Sequence, residues 1–360
     1  TCDDCPEPAN INLLGGTTTA GTYKTAAVSS YGDLAVAAFQ QENDEVRLAS
    51  YRVSGNSVKL LNTEDFGTVS KVNIALVSKD QAVVAVRNTQ NQLHLIPFNI
   101  GADGSFTRPA FFDKRHVDIK DVKPSIISLQ DGVFLTGAVN MAGNLVLSRW
   151  TITPTGVIAQ WGNDYLGNSV TELDIARVHA TRFVISTRSN ASSVFNAHCF
   201  DVSATNQILP KGVHNLQSTA KSLSVVSAGN NQVVVFNTNA SNQLASNTLL
   251  VDNAGNLSSL DNNPPVTNPA TAELYTLKRI DAQFLGNGII LINAINSADR
   301  HVVIPFRIES SGDVVVQKGE YASSTDLFDL AYSTAVQGKL LTCNRLQSSQ
   351  KYRLDLFDYK

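Results

Sequence analysis

The last ten residues read "KYRLDLFDYK" (351–360). Tyr352, Leu354 and Leu356 alternate with Arg353 and Asp355, a period of two that predicts a β-strand. A strand with no neighbour exposes a row of unpaired N–H and C=O groups, so this one needs a partner. The stretch "NINLLGGTT" (10–18) at the other end offers one, with Ile11, Leu13 and Leu14 as its apolar positions. Residues 10–18 are therefore expected to pair with 351–359, and the "GG" at 15–16 reads as a turn after that closing strand.

Between the two ends the sequence repeats. Short apolar runs begin at Leu34, Ala82, Val133, Phe183, Val233, Ile289 and Leu340, at spacings of 48, 51, 50, 50, 56 and 51 residues. Each is followed by a second marker, two large apolar residues around one spacer, as in Tyr51 and Val53, Phe98 and Ile100, or Phe306 and Ile308. The spacing of two places each pair on one sheet face. The linkers "QQENDE", "NTQNQ", "NMAGN", "TNASNQ" and "NSADR" carry Asn, Asp and Gly, which suit turns of positive φ. A weaker apolar stretch flanks the markers on either side, so each unit contains four strands in an antiparallel meander. A unit this small cannot bury both its faces alone, so copies must stack.

Seven such units resemble the β-propeller superfamily over the whole chain, and the resemblance implies a single all-β domain of seven four-stranded blades. The blades are expected at about 24–68, 69–117, 118–169, 170–217, 218–268, 269–322 and 323–360, the last completed three plus one by 10–18, with a leader at 1–9. The Gly-His and Trp-Asp signatures of the WD-repeat group and the kelch double glycine are absent, so the resemblance carries over no catalytic residue. The "NNPPVTNPAT" stretch reads as a loop, because consecutive prolines cannot occupy a central strand.

Composition narrows the function. The 28 basic and 31 acidic side chains give a net charge of -3, which argues against electrostatic capture of nucleic acid. No apolar run approaches the ~18 residues of a membrane span. Few charges and abundant Asn, Ser and Thr point to an exported protein: secreted, periplasmic or at the cell surface. Cys2 and Cys5, in "TCDDCPEPAN", read as a small local disulfide. The alternatives are half a metal site or, for Cys2, a lipid-anchoring position in a precursor. Cys199 and Cys343 lie in strand-like runs and read as core.

The candidate ligand-binding residues lie in stretches expected to be loops between one blade's fourth strand and the next blade's first. "FFDKRHVDIKD" (111–121) holds Asp113, Arg115 and His116, where an imidazole beside a carboxylate suits acid/base work. "AQWGNDYLGN" (159–168) holds Trp161, Asp164 and Tyr165, an aromatic pair beside polar groups suited to stacking on a sugar ring. Other connections, among them "NTEDFGTVSK", "NDYLGNSVTELD" and "KGVHNLQSTAK", contribute His214, Asp326 and further carboxylates such as Asp174. No catalytic residue, metal ligand or cofactor is assigned: no G-x-S-x-G elbow, Walker loop, dinucleotide fingerprint or calcium loop occurs. The expectation is a monomeric, non-enzymatic module that binds protein or carbohydrate through loops on one ring face. The alternative is a propeller hydrolase or lyase acting on a glycan or small ester at the axial pocket.

Overall fold

The computed structural model describes residues 10–109, 113–189, 194–262, 266–269, 271–317 and 319–360, so Cys2 and Cys5 lie outside the described residues. In chain order, β1 (Ile11–Thr18) precedes a meander of β2 (Tyr23–Tyr31), β3 (Leu34–Gln41), β4 (Glu45–Ser54) and the 22-residue β5 (Ser57–Ser78). There follow β6 (Gln81–Asn88), β7 (Gln92–Ile100), β8 (Phe106–Thr107) and β9 (Lys114–Asp118). The next meander is β10 (Ser125–Gln130), β11 (Val133–Val139), β12 (Asn144–Ile152) and β13 (Ile158–Ser169). Then come β14 (Glu172–His179), β15 (Arg182–Arg188), β16 (Val194–Val202), β17 (Ile208–Gly229), β18 (Gln232–Asn239), β19 (Leu244–Val251) and β20 (Leu257–Asn262). The chain continues through β21 (Leu277–Gly286), β22 (Ile289–Asn296), β23 (His301–Ile308), β24 (Val314–Val316) and β25 (Tyr321–Ala322). It ends with β26 (Phe328–Val336), β27 (Lys339–Leu346) and β28 (Tyr352–Tyr359).

The architecture is an all-β propeller of antiparallel four-stranded blades. Hydrogen bonding joins the strands into five sheets, of eight, four, seven, five and four strands, which corrects the expectation of seven separate ones. The reason lies in β5 and β17. β5 pairs with β4 through Ser57–Thr68 and with β6 through Val69–Ser78, without a break between. β17 does the same with β16 and β18, changing partner between Thr219 and Ala220. The stretches "NTEDFGTVSK" and "KGVHNLQSTAK" are therefore strand, not loop, and the Lys114–Asp118 part of "FFDKRHVDIKD" is β9, paired with β7.

The closing pairing expected from the sequence forms. β1 lies antiparallel to β28, with Ile11 opposite Tyr359 and Leu13 opposite Phe357, in a sheet ordered β1-β28-β27-β26. The Gly15–Gly16 doublet lies inside β1, where the register shifts by one residue, and is not a turn after it. The linkers behave as read: Asp44, Asn91, Gly143, Asn242 and Asp299 each take positive φ.

Packing follows the alternation of side chains. Val36 and Ala38 of β3 join a core with Val84 and Val86 of β6, while Ala35, Ala37 and Phe39 join another with Leu341, Leu354 and Leu356. One strand thus fills two cores, one between parts of its own eight-stranded sheet and one against the closing sheet, each fully buried Val, Leu or Phe side chain contributing about 1.5–3 kcal/mol. The first strands form a closed circuit: β2 meets β5, β5 meets β10, then β14, β17, β21 and β26 follow, and β26 meets β2.

Candidate functional site

Two places gather polar side chains. The first is the axis, bounded by the circuit of first strands. Polar side chains here pin each strand to the next. Ser29 Oγ accepts the Leu76 N–H at 3.0 Å, and Asn73 Nδ2 donates to the Pro124 carbonyl at 2.9 Å. Asp174 Oδ2 accepts the Val225 N–H at 2.8 Å, Ser224 Oγ the Ala282 N–H at 3.0 Å, and Asp281 Oδ2 the Ser333 N–H. Lys123, just before β10, donates to the Ala26 carbonyl at 2.9 Å and lies 4.3 Å from the centre of the Tyr332 ring. Tyr332 Oη is 2.7 Å from Thr25 Oγ1. Lys123, Asp174, Asp281 and Tyr332 are half-buried, reached by water yet ringed by protein. Burial pushes the Lys123 ammonium down to about 8 against the pull of the two carboxylates. Burial, with Asp174 adding to it, pushes Asp281 up to about 7. Burial likewise raises Asp174, against the N–H groups of Val225 and Ile175.

The second is the seam where the chain ends meet. A cavity of about 360 Å³, open to solvent, is lined by residues 13–18 with Arg353 and Asp355. The register shift between Leu13 and Gly15 makes Leu14 an extra residue of β1, and Leu14 packs into the core beside β28. Leu13 stays 40% exposed at the cavity wall. Arg353 donates from Nε to Asp355 Oδ1 at 3.0 Å and from Nη1 to Asp326 Oδ2 at 2.9 Å. The Asp355 side chain is only 2% exposed. Burial raises its pKa, opposed by Arg353. Gly16 is a steric requirement: a Cβ there would lie 2.3 Å from Asp355 Oδ1 and 2.7 Å from the Leu354 carbonyl.

The structure spreads the candidates read from the sequence. Asp326 reaches the seam through Arg353. Trp161 stands on β13, 47% exposed, its Nε1 donating to Thr151 Oγ1 at 2.6 Å. Asp164 and Tyr165 share that strand, with the Tyr165 backbone opposite Leu147. Asp113 lies 3.4 Å from His94 Nε2 and forms an ion pair with Arg108. Burial raises the Asp113 pKa, but His94 and Arg108 outweigh it and hold the carboxyl below its usual range. Arg115 is exposed on β9, and His116 turns inward, 3.1 Å from Ser148 Oγ and edge-on to Trp150. His214, on β17, sits opposite Ala197. Among the described residues no three His, Cys, Asp or Glu side chains group as a metal site.

Arg353, Asp355, Lys123 and Asp281 were not among the candidates. The alternation in 10–18 and 351–359 signalled the seam itself, but not a cavity there; the glycine doublet, read as a turn, was the signal for that, since glycine within a strand marks a bulge or a close approach of chains.

The sequence matches no protein-family model and no curated protein. Solved structures of similar fold are many. The Cps50 (Swd1) β-propeller domain of Myceliophteria thermophila has a TM-score of 0.58 at 10% identity, covering 94% of this chain and 98% of that one. The periplasmic gluconolactonase of Pseudomonas aeruginosa has a TM-score of 0.56 at 13% identity, over 83% and 86%. A mutant Aleuria aurantia lectin in complex with Fucalpha1-6GlcNAc has a TM-score of 0.52 at 14% identity, over 86% and 97%. At such identities the likeness is one of fold alone.

Proposed function

We propose that the chain is a non-enzymatic binding propeller, exported and monomeric, that takes a hydroxyl-rich ligand of the carbohydrate class at the seam. The lining of the seam cavity carries this reading. A sugar presents hydroxyls beside an apolar C–H face. The Thr17 and Thr18 hydroxyls at the cavity wall can donate to or accept from sugar hydroxyls, Arg353, oriented by buried Asp355, donates to hydroxyl oxygens, and exposed Leu13 covers the C–H face. About 360 Å³ lies at the small end of ligand cavities and suits a monosaccharide better than a chain of sugars. A lectin and a lactonase among the similar folds are compatible with either binding or catalysis, so the weight rests on the cavity's chemistry.

In this proposal the ring has seven blades. The closed circuit of first strands supports that count, as do the partner changes within β5 and β17. Each of these strands would serve as the outer strand of one blade and the inner strand of the next, β5 at the boundary read from the sequence and β17 two residues beyond it. The ring would then hold the two chain ends in fixed register, giving the seam a rigid frame.

The alternative, a hydrolase or lyase, would draw on Lys123, Asp174 and Asp281 at the axis, whose carboxyls are raised towards neutrality. Calorimetric titration with a panel of neutral monosaccharides separates the two. Saturable binding without turnover, weakened about tenfold or more by Leu13→Glu, is the expected result. Turnover of a sugar or ester that survives Leu13→Glu would overturn the binding reading.

A further inference from the structure

We propose that Arg149 and Trp161, opposite each other on β12 and β13, form a second binding site, which takes a sugar ring carrying a carboxylate, a hexuronate. This site is independent of the seam. Arg149 breaks the repeat. In the other repeats the residue just before the large apolar marker is Ser50, Pro97, Cys199, Thr248, Pro305 or Leu356, each uncharged and buried. Ser50 shows an ordinary use of the position: its hydroxyl donates to the Gly104 carbonyl of a neighbouring turn at 2.7 Å. Arg149 is longer, charged and half-buried. It makes no hydrogen bond or ion pair among the described residues, and its Nη1 is buried without an acceptor. The part-buried Arg87, Arg182, Arg345 and Arg353 each have a carboxylate. Burial pushes the Arg149 pKa down, and no carboxylate among the described residues opposes that. A guanidinium stays charged all the same. Its charge is held partly out of water with nothing to balance it, a cost that a bound oxyanion would offset.

Trp161 supplies the other half of the site. β13 is the edge strand of its sheet, and the indole is 47% exposed there, so a ligand reaches it without entering a cavity. Alternation puts Arg149 and Thr151 on the same face of β12. The bond from Trp161 Nε1 to Thr151 Oγ1, 2.6 Å long, holds the indole on that face. Residues directly opposite in an antiparallel pair have β-carbons about 4.5–5.5 Å apart, and Arg149 is opposite Trp161. A flat apolar platform and an unbalanced cation therefore stand side by side. A free inorganic anion would use only the cation, and a neutral sugar only the platform. A hexuronate uses both: its C–H face lies on the indole while its carboxylate, one bond outside the ring, accepts from the guanidinium.

The test is a fluorescence titration of the whole chain with sodium glucuronate at low ionic strength, beside glucose and inorganic phosphate. The chain has two tryptophans, and Trp150 is fully buried with its Nε1 bonded to Thr136 Oγ1, so the response reports Trp161. Saturable quenching by glucuronate is expected, about tenfold or more tighter than by glucose or phosphate, weakened by salt and absent in Trp161→Phe. Arg149→Leu distinguishes an arginine held for a ligand from a structural one. It should weaken glucuronate about tenfold or more. Because Leu356 fills the same position in the last repeat, it should also raise Tm by about 1–2 °C. No saturable quenching, or glucose or phosphate binding as tightly as glucuronate, would overturn the proposal. So would quenching that persists in Trp161→Phe, or an Arg149→Leu chain with wild-type affinity or a lowered Tm.

Discussion

Gly16 has no room for a β-carbon, because the Asp355 carboxylate and the Leu354 carbonyl occupy that space. Gly16→Ala must push β1 away from β28 or turn Asp355 out of its contact with Arg353. Equilibrium denaturation should show a loss of about 1–3 kcal/mol, with weaker sugar binding if the seam is the site. His301 is a different case. It is fully buried against Tyr321, Phe328 and Phe357, and neither ring nitrogen has a hydrogen-bond partner among the described residues. Burial, aided by Arg353, holds its imidazole down at about 3. The native state therefore refuses a proton that the unfolded chain accepts. Stability is full above pH ~6.5 and falls as pH drops from there towards 3, at up to about 1.4 kcal/mol per pH unit. His301→Leu removes two unsatisfied buried atoms and this acid-side loss. Denaturation curves at pH 7 and pH 5 should show it about 1 kcal/mol more stable at pH 7, with a smaller drop at pH 5.

At the scale of elements, β1 decides whether the ring closes. Without it, β28 presents an open edge beside the terminal core of Tyr352, Leu354 and Leu356. A chain lacking residues 1–18 should lose about 10 °C or more in Tm and associate in a concentration-dependent way, visible by light scattering. The pairing of β1 with β28 was legible because alternation with a period of two survives in both stretches. Turn residues were legible for the same local reason: Asn and Asp tolerate positive φ wherever they stand. The connections were not. "FFDKRHVDIKD" reads as loop because charge marks exposure, and an outer strand such as β9 is exposed too. Lys123 and Asp281 carry no pattern of their own. They become a cluster only because first strands distant in sequence meet at the axis.

At the scale of the molecule, the polar groups divide between two jobs. Those on the axis mostly fasten one first strand to the next, as Asp174 does at Val225 and Asp281 at Ser333. Those at the seam, Arg353 and Asp355, line an open cavity beside an exposed leucine. The central functional claim is that a hydroxyl-rich ligand binds where the chain's two ends meet. Its most direct test is a titration of a glycine-selectively ¹⁵N-labelled sample with the tightest-binding monosaccharide, followed through the amide resonances. The account predicts saturable shifts confined to Gly15 and Gly16. Shifts at other glycines with Gly15 and Gly16 unmoved would contradict it.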